Sequence, residues 1–423
     1  MNKILTLTAL GTVLLAASNV QAAGFHLREQ SAAAQGNAFA GATAGAENNS
    51  YAYFNAAGLT RQKGTQFSIG GTYIAPKARA ENVKYIDSNG ETQRGSDINN
   101  IVHAAVAPNM SFSHQVDEKT FFGVTMNVPY GMVTKYDRDW AGSDHGITSK
   151  VTSVTVTPMV AYKATDKLSL GVGAQLQYMK AKLTNTAYSV DHVRLQGDTF
   201  DIGYQLGALY EFNDDTRIGL GYRSEVKHKL KGEIEASPSK VPAELGGGVI
   251  NALLNQDISA RLTTPAMASI GVFHQVNEKW AVMAEYQRVF WSSFDYLTIM
   301  GEDTNSQINQ VKEKWRDTNF FAIGANYQID HQWKWRLGLA YDQAAARMKH
   351  RTPRIPDSDR LWYSTGLNYQ YNDKLSFDFA YTYIYAHKAH MHTQNITPAD
   401  QNRASVDFAN SVQLFGFSLN YKF

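Results

Sequence analysis

The chain has 423 residues, of which 43% are hydrophobic, 12% aromatic and 18% charged, with a net charge of +2 and no cysteine. So balanced a charge gives no electrostatic footprint for nucleic acid, and the lack of cysteine excludes a disulfide framework. The negative mean hydropathy alone would suggest a soluble protein, but a transmembrane barrel, alternating apolar and polar residues between polar loops, has the same average.

The N-terminus reads as an export signal over residues 1–22: Lys3, an apolar run from Ile4 to Ala17, then the small-residue site Val20-Gln21-Ala22. No later apolar run is long enough for a spanning helix, and the exported chain is predicted to start at Ala23. Residues 23–64 lack strand alternation and are rich in small residues, as in Ser31-Ala32-Ala33-Ala34-Gln35-Gly36 and Gly41-Ala42-Thr43-Ala44-Gly45-Ala46. A linker is one reading of such a stretch. Phe25, Phe39, Tyr51, Tyr53 and Phe54 give it something to bury, so it is predicted to be a compact plug.

Residues 65–423 read as a run of period-two segments. In order they are Phe67 to Ala75, Val102 to His114, Phe122 to Tyr130, Val154 to Tyr162, Leu168 to Tyr178, Ile202 to Phe212 and Ile218 to Val226. Then follow Ala266 to His274, Trp280 to Arg288, Phe321 to Ile329, Trp335 to Tyr341, Leu361 to Tyr371, Leu375 to Tyr385 and Val412 to Phe423. In the last one Phe415, Phe417, Leu419, Tyr421 and Phe423 share a face opposite Gly416, Ser418, Asn420 and Lys422. A terminal strand of this kind must pair with an earlier one or leave a sticky edge, which points to closure. Short turns such as Asn213-Asp214-Asp215 and Asn372-Asp373-Lys374 alternate with long polar connections, the asymmetry of an outer-membrane barrel. The predicted fold is all-β, a 14-stranded antiparallel transmembrane barrel with the N-terminal plug in its lumen, placed in the bacterial outer membrane.

Two irregularities stand out. The third segment carries Val128-Pro129-Tyr130-Gly131, where Pro has no N–H to donate and Gly weakens the strand; either the wall opens there or the strand merely ends. The long connection from Gly232 to Ala260 repeats Leu245, Val249, Leu253 and Leu254 at helical spacing, an apolar external face for an apolar ligand or for self-packing.

Little suggests catalysis: there is no Gly-x-Ser-x-Gly, and no Ser and His that the strand assignment brings together. His387, His390 and His392 lack neighbouring carboxylates or cysteines and read as a solvated loop, so neither a metal nor any other cofactor is expected. Asp201, Arg223, Glu225, Glu285, Arg336, Asp342, Arg360 and Asp378 fall on predicted lumen positions with mixed signs, as in an internal ion-pair network.

Taken in order, Ala23-Gly24-Phe25, the small-rich plug, Asn55-Ala56-Ala57, Pro108-Asn109-Met110, Tyr130-Gly131, Tyr222-Arg223-Ser224-Glu225-Val226-Lys227, Ile355-Pro356-Asp357-Ser358-Asp359-Arg360 and the aromatic end resemble the FadL long-chain fatty acid transporters. The resemblance implies a monomeric 14-stranded barrel, a movable hatch near Phe25, Asn55, Ala56 and Ala57, and a lateral opening to the bilayer at Pro129, Tyr130 and Gly131. It implies passive transport of long-chain fatty acids or, in one branch, of aromatic and other apolar compounds, with outer-membrane lipid around the barrel. A general porin and an outer-membrane lipid hydrolase are the readings from other classes. Departures exist. Asn-Pro-Ala of the family is Asn55-Ala56-Ala57 here, the connection from Thr184 to Asp198 is short, and the family's carboxylate-binding Arg aligns with Asn185. Lys180, Lys182 and Lys312 are the cations expected to replace it, and Asp342 matches the family's pocket Asp.

Overall fold

The computed structural model describes residues 24–86, 91–187, 190–392 and 404–423; the export signal and Ala23 lie outside them. The strands are β1 (Thr65–Ile86), β2 (Thr92–Arg94), β3 (Ala105–Gln115), β4 (Thr120–Asn127), β5 (Gly131–Lys135), β6 (Thr148–Lys163) and β7 (Leu168–Ala187). There follow β8 (Val190–Glu211), β9 (Thr216–Arg223), β10 (Val226–Ala236), β11 (Gln256–Thr264), β12 (Met267–Gln275), β13 (Trp280–Val289) and β14 (Tyr296–Gly301). The last are β15 (Ser306–Lys312), β16 (Thr318–Gln328), β17 (Trp333–Asp342), β18 (Arg360–Gln370), β19 (Leu375–Ala386), β20 (Ala389–His392) and β21 (Ala404–Lys422). Six pairs form single broken staves: β4 with β5, β9 with β10, β11 with β12, β13 with β14, β15 with β16, and β19 with β20. With the minor β2 set aside, 14 antiparallel staves remain and the sheet closes on itself.

Closure is made by β1 and β21, whose register runs from Gln66 opposite Lys422 to Tyr85 opposite Ala404. With both edges paired, the closing seam leaves no open sheet edge among the described residues. The outward face is apolar: Phe200, Ile202, Leu220, Phe321, Ile323 and Leu339 are each more than half exposed, which in water would be costly and in a bilayer is the stabilising arrangement.

The strands are longer than the alternation predicted. β1 and β8 each have 22 residues, which at about 3.3 Å per residue overshoots a hydrocarbon core of ~30 Å. Past the bilayer the ladder continues but no lipid face imposes a period of two, so the hydrophobic pattern stops before the strand does. For that reason Thr184 and Asp198, expected in a loop, are paired within β7 and β8. The connection expected from Gly232 to Ala260 is likewise shortened to residues 237–255 between β10 and β11. At the second segment Val102 precedes β3 and is packed against Ile101 and Tyr136 instead of facing outward. Glu225 also departs from its lumen position: β9 stops at Arg223, β10 starts at Val226, and the irregularity leaves Glu225 exposed beside Lys227.

Residues 24–64 fill the lumen as short helical turns, Ala32–Gly36, Ala42–Gly45, Asn49–Tyr53 and Ala56–Arg61, almost entirely buried. Glycines on the inner wall let the plug backbone touch the sheet. A Cβ on Gly338 would lie 2.0 Å from the carbonyl carbon of Asn37, and one on Gly219 would lie 2.1 Å from the Thr43 oxygen. Ion pairs add to this contact. Plug Glu47 accepts from Lys334 and Arg336, each at 2.6 Å, and Arg336 also faces Asp378 at 2.9 Å. Plug Arg28 meets Asp342 at 3.2 Å, and Asp342 meets Arg360 at 3.0 Å. Removing one member of such a buried set leaves an uncompensated charge, at a cost of about 3–5 kcal/mol.

The Gly338 contact gives a test. Gly338→Leu should leave the barrel folded, because the outer ladder is untouched, yet unseat the plug. Single-channel conductance in planar bilayers should rise clearly above wild type, and plug peptides should become accessible to protease; wild-type conductance would show that the plug does not need this contact.

Candidate functional site

Above the plug the inner face of the wall turns apolar. Val151 of β6, Ala181 and Leu183 of β7, Leu195 of β8, Leu230 of β10 and Leu262 of β11 surround a cavity of about 780 Å³, with Phe25 and Phe294 also lining it. Phe25 is held edge-on by Trp291 (ring centroids 4.9 Å apart) and Phe294 (5.8 Å), and approached by Tyr130 at 5.7 Å. The plug therefore presents an aromatic stopper to the cavity.

The ionisable groups lining the cavity are Glu313, in the break between β15 and β16, and Arg354, in the connection between β17 and β18. Glu313 is buried; its carboxylate accepts from the Trp315 indole N–H at 2.9 Å. Burial pushes its carboxyl up to about 7, against the opposing pull of Trp315 and Arg354. Arg354 is partly enclosed. Its Nη1 donates to Ser149 Oγ at 3.0 Å and to the Thr148 carbonyl at 3.3 Å, and Nη2 donates to Asn185 Oδ1 at 3.4 Å. Enclosure lowers its guanidinium to about 10, which leaves it cationic at neutral pH.

The residues expected from the sequence are distributed unevenly around this cavity. Phe25 lines it, and Asn185 touches its cation. Lys182 sits between Ala181 and Leu183, which line the cavity, so alternation turns its side chain to the other face of the strand; Lys180 points the same way and is exposed. Lys312 is the exposed end of β15 and does not line the cavity, although its neighbour Glu313 does. Asp342 is buried in the ion pairs with Arg28 and Arg360. Of the external apolar set, Leu245 and Val249 are exposed, while Leu253 and Leu254 are half-buried. The helix there, Gly247–Leu253, spans only seven residues; Ile250 and Leu254 pack on Ile234, Ile258 and Ile299, and the last two also line the cavity. His390 bonds Asp407 and, at 2.6 Å, His392.

Glu313 and Arg354 were not legible in the sequence because one lies in a break within a stave and the other in a connection, where strand alternation carries no information. The available signal was the basic residue directly preceding Ile355-Pro356-Asp357. Asn55, by contrast, holds its turn without the missing proline. Its side chain accepts from Ala57 N at 3.0 Å and donates to the carbonyls of Thr43 and Ala208, at 2.8 and 2.9 Å, while Ala56 and Ala57 are wholly buried.

At Val128-Pro129-Tyr130-Gly131 the ladder is interrupted. The pairing of β3 with β4 stops at Met110 opposite Met126, and Ala105–Asn109 find no partner on that side. The plug meets the loose backbone: Leu27 N donates to Pro129 O at 2.8 Å, Gly131 N donates to Phe25 O at 2.9 Å, and His26 bridges Tyr130. Gln30 bonds both the N–H and the carbonyl of Val128. The residues that stop the cavity thus also satisfy the break in the wall.

A closed barrel with a lipid-facing exterior, a clamped plug and an apolar cavity above it defines an outer-membrane channel for hydrophobic solutes. The profile of the family described as "Outer membrane protein transport protein (OMPP1/FadL/TodX)" matches residues 13–423, and the chain belongs to that family. It is 29% identical to outer membrane protein P1 of Haemophilus influenzae, over 100% of this chain and 99% of that protein. It is 28% identical to a long-chain fatty acid transport protein of Escherichia coli, over 97% of each. The crystal structure of a Pseudomonas aeruginosa FadL homologue superimposes with a TM-score of 0.85 at 25% identity, covering 95% of this chain and 100% of that one.

The plug contact at the break can be probed directly. Leu27→Pro removes the donor to Pro129 O, and losing a buried hydrogen bond costs about 1–3 kcal/mol. Amide exchange at Gly131 should accelerate about fivefold to a hundredfold; unchanged exchange would mean that the plug does not secure the break.

Proposed function

We propose that this protein transports long-chain fatty acids passively across the outer membrane and that Arg354 receives the carboxylate. The observation that carries this reading is the pairing of an apolar cavity with an enclosed guanidinium at its polar end. A pocket for aromatic hydrocarbons gains at most a cation–π contact from such a cation, whereas an acyl carboxylate gains a charge-assisted hydrogen bond. Lys182 and Lys312, outside the cavity, are left to draw anions toward the mouth. The solute first rests on the exposed Leu245 and Val249, with Leu253 and Leu254 behind them. It then enters the cavity above Phe25. Withdrawal of Phe25 and Leu27, with the plug pivoting near Asn55, Ala56 and Ala57, frees the backbone at Pro129, Tyr130 and Gly131, and the solute leaves sideways into the bilayer. One barrel is a complete transport unit in this scheme, with no energy source.

The head-group role is tested with Arg354→Leu. Oleate affinity, measured on purified protein, should fall about tenfold or more, and methyl oleate affinity less than twofold. Equal losses would favour an uncharged apolar or aromatic substrate. Glu313 adds a pH dependence whose sign follows from its burial: neutral below about 7, it leaves Arg354 to the ligand, and ionised above about 7 it competes for Arg354 and repels the ligand. Affinity for an alkyl sulfonate, whose charge does not titrate, should therefore fall as pH rises through 7, and Glu313→Gln should flatten the profile. A sloping profile in that variant would refute the assignment.

The exit route is tested with Pro129→Val, which restores a ladder donor and a β-favouring side chain. Gly131 is left in place because a Cβ there would press on Leu27 at 3.0 Å. Uptake of labelled oleate, normalised to folded surface protein, should fall several-fold while binding persists. Wild-type uptake in a variant whose structure shows the ladder restored would exclude the lateral path.

A further inference from the structure

The extracellular rim carries a second polar feature that the transport scheme does not use. The upper ends of four neighbouring staves enclose a cleft of about 670 Å³, lined by Arg316, Arg347, Arg351, His387 and Lys388, with Asp359 as the acidic residue among the lining groups. The charge of Asp359 is already engaged. Its carboxylate accepts from Tyr341 OH at 2.9 Å and Ala344 N at 2.8 Å, and lies 3.5 Å from Arg316 Nη2. Arg316 and Arg351 are pinned by their own bonds to backbone carbonyls, Arg316 Nε to Ala344 and Arg351 Nη1 to His390; the carbonyl bond leaves the charge of Arg351 in place, while that of Arg316 is partly met by Asp359. Arg347 and Lys388 are exposed. Ser358 lines the same cleft, is only 6% exposed, and among the described residues its hydroxyl has no partner; the Nε of Arg351 is likewise unmet. A buried donor left open beside several cations is the arrangement that accepts a tetrahedral oxyanion.

The height of the cleft identifies the source of that anion. Tyr341 and Tyr385 lie on the outward face in the aromatic belt of the wall; Tyr341 bonds Asp359 from below, and the His387 ring sits 5.5 Å from that of Tyr385. The cleft therefore opens directly above the interfacial aromatics, where the head groups of the outer leaflet lie. The surroundings reinforce the field. His350 is held below its usual range by burial and then by Lys312, Lys349, Lys314 and Arg347.

We propose that this rim cleft binds the phosphate of a phosphorylated glycolipid of the outer leaflet, with Arg316, Arg351 and Ser358 as the fixed donors and Arg347 and Lys388 as mobile ones. The site is separate from the transport cavity and does not rest on the fatty-acid reading. Lipid phosphate held here would fix the orientation of the loop between β17 and β18, which also carries Arg354.

The test uses the full-length protein in detergent, incubated with bisphosphorylated lipid A, with its dephosphorylated counterpart, or with inorganic phosphate, and bound ligand counted by native mass spectrometry. Wild type should retain bisphosphorylated lipid A. Arg347→Gln combined with Lys388→Gln should weaken retention about 25-fold, from roughly fivefold per basic residue near a lipid surface. Oleate affinity should be unchanged in the double variant, showing that the barrel and cavity are intact. Equal retention of dephosphorylated lipid A, or unchanged retention by the double variant, would overturn the proposal. Inorganic phosphate bound as tightly as the lipid would also overturn it, by assigning the cleft to a free anion.

Discussion

Everything in this molecule follows from the lack of water in the bilayer core, where an unpaired backbone amide costs several kcal/mol. Closing β21 onto β1 answers that cost around the whole wall, apart from one site. At Val128 to Gly131 the third stave leaves the ladder, and proline guarantees that one donor is missing. The plug supplies the partners. Because Phe25, Leu27 and Gln30 satisfy the loose backbone while Phe25 also stops the cavity, the break and the stopper form a single device. A displacement of the N-terminal segment acts on both.

The lumen is organised in two levels that obey opposite rules. In the lower level small residues let plug and wall backbones touch, and buried ion pairs joining Arg28 and Glu47 to the wall hold the plug in one register. Such pairs add less stability than their number suggests, since each ion is desolvated, but they penalise every misplaced arrangement heavily. In the upper level most inward side chains are apolar, leucine, isoleucine and valine foremost, and the two ionisable groups of the cavity, Glu313 and Arg354, lie outside the regular strands. The ion-paired clamp and the apolar cavity are thereby separated along the barrel axis, and the N-terminal residues around Phe25 lie between them.

In the proposed scheme selectivity resides in very few atoms. The apolar wall would accept any solute of suitable girth, so discrimination would fall to Arg354 and to the protonation of Glu313 beside it. Arg354 is positioned by Ser149, the Thr148 carbonyl and Asn185, contributed by two different strands. Asn185 stands where an arginine is expected from the family pattern, and its role here is to orient a guanidinium delivered by another loop. The same loop continues into the basic rim cleft, so the cavity and the rim cleft are joined by a short run of residues.

The barrel, its even strand number and the break in the third stave are legible in the sequence, because a lipid face and a lumen face impose a period of two that residues such as Phe415, Phe417 and Leu419 display directly. The plug is legible from the opposite signal, a stretch of small residues with no period. The full strand lengths are not, since β7 and β8 run beyond the bilayer and lose the alternation while keeping the ladder. Nor was the cavity cation: Lys182 and Lys312 are near Asn185 and Glu313 in sequence or register, yet strand parity turns the first away and a strand end exposes the second. Local pattern determined which faces are apolar. Only the closing of the barrel, which brings residues 149, 185, 313 and 354 to one place from separate staves and loops, decided which charge the cavity sees.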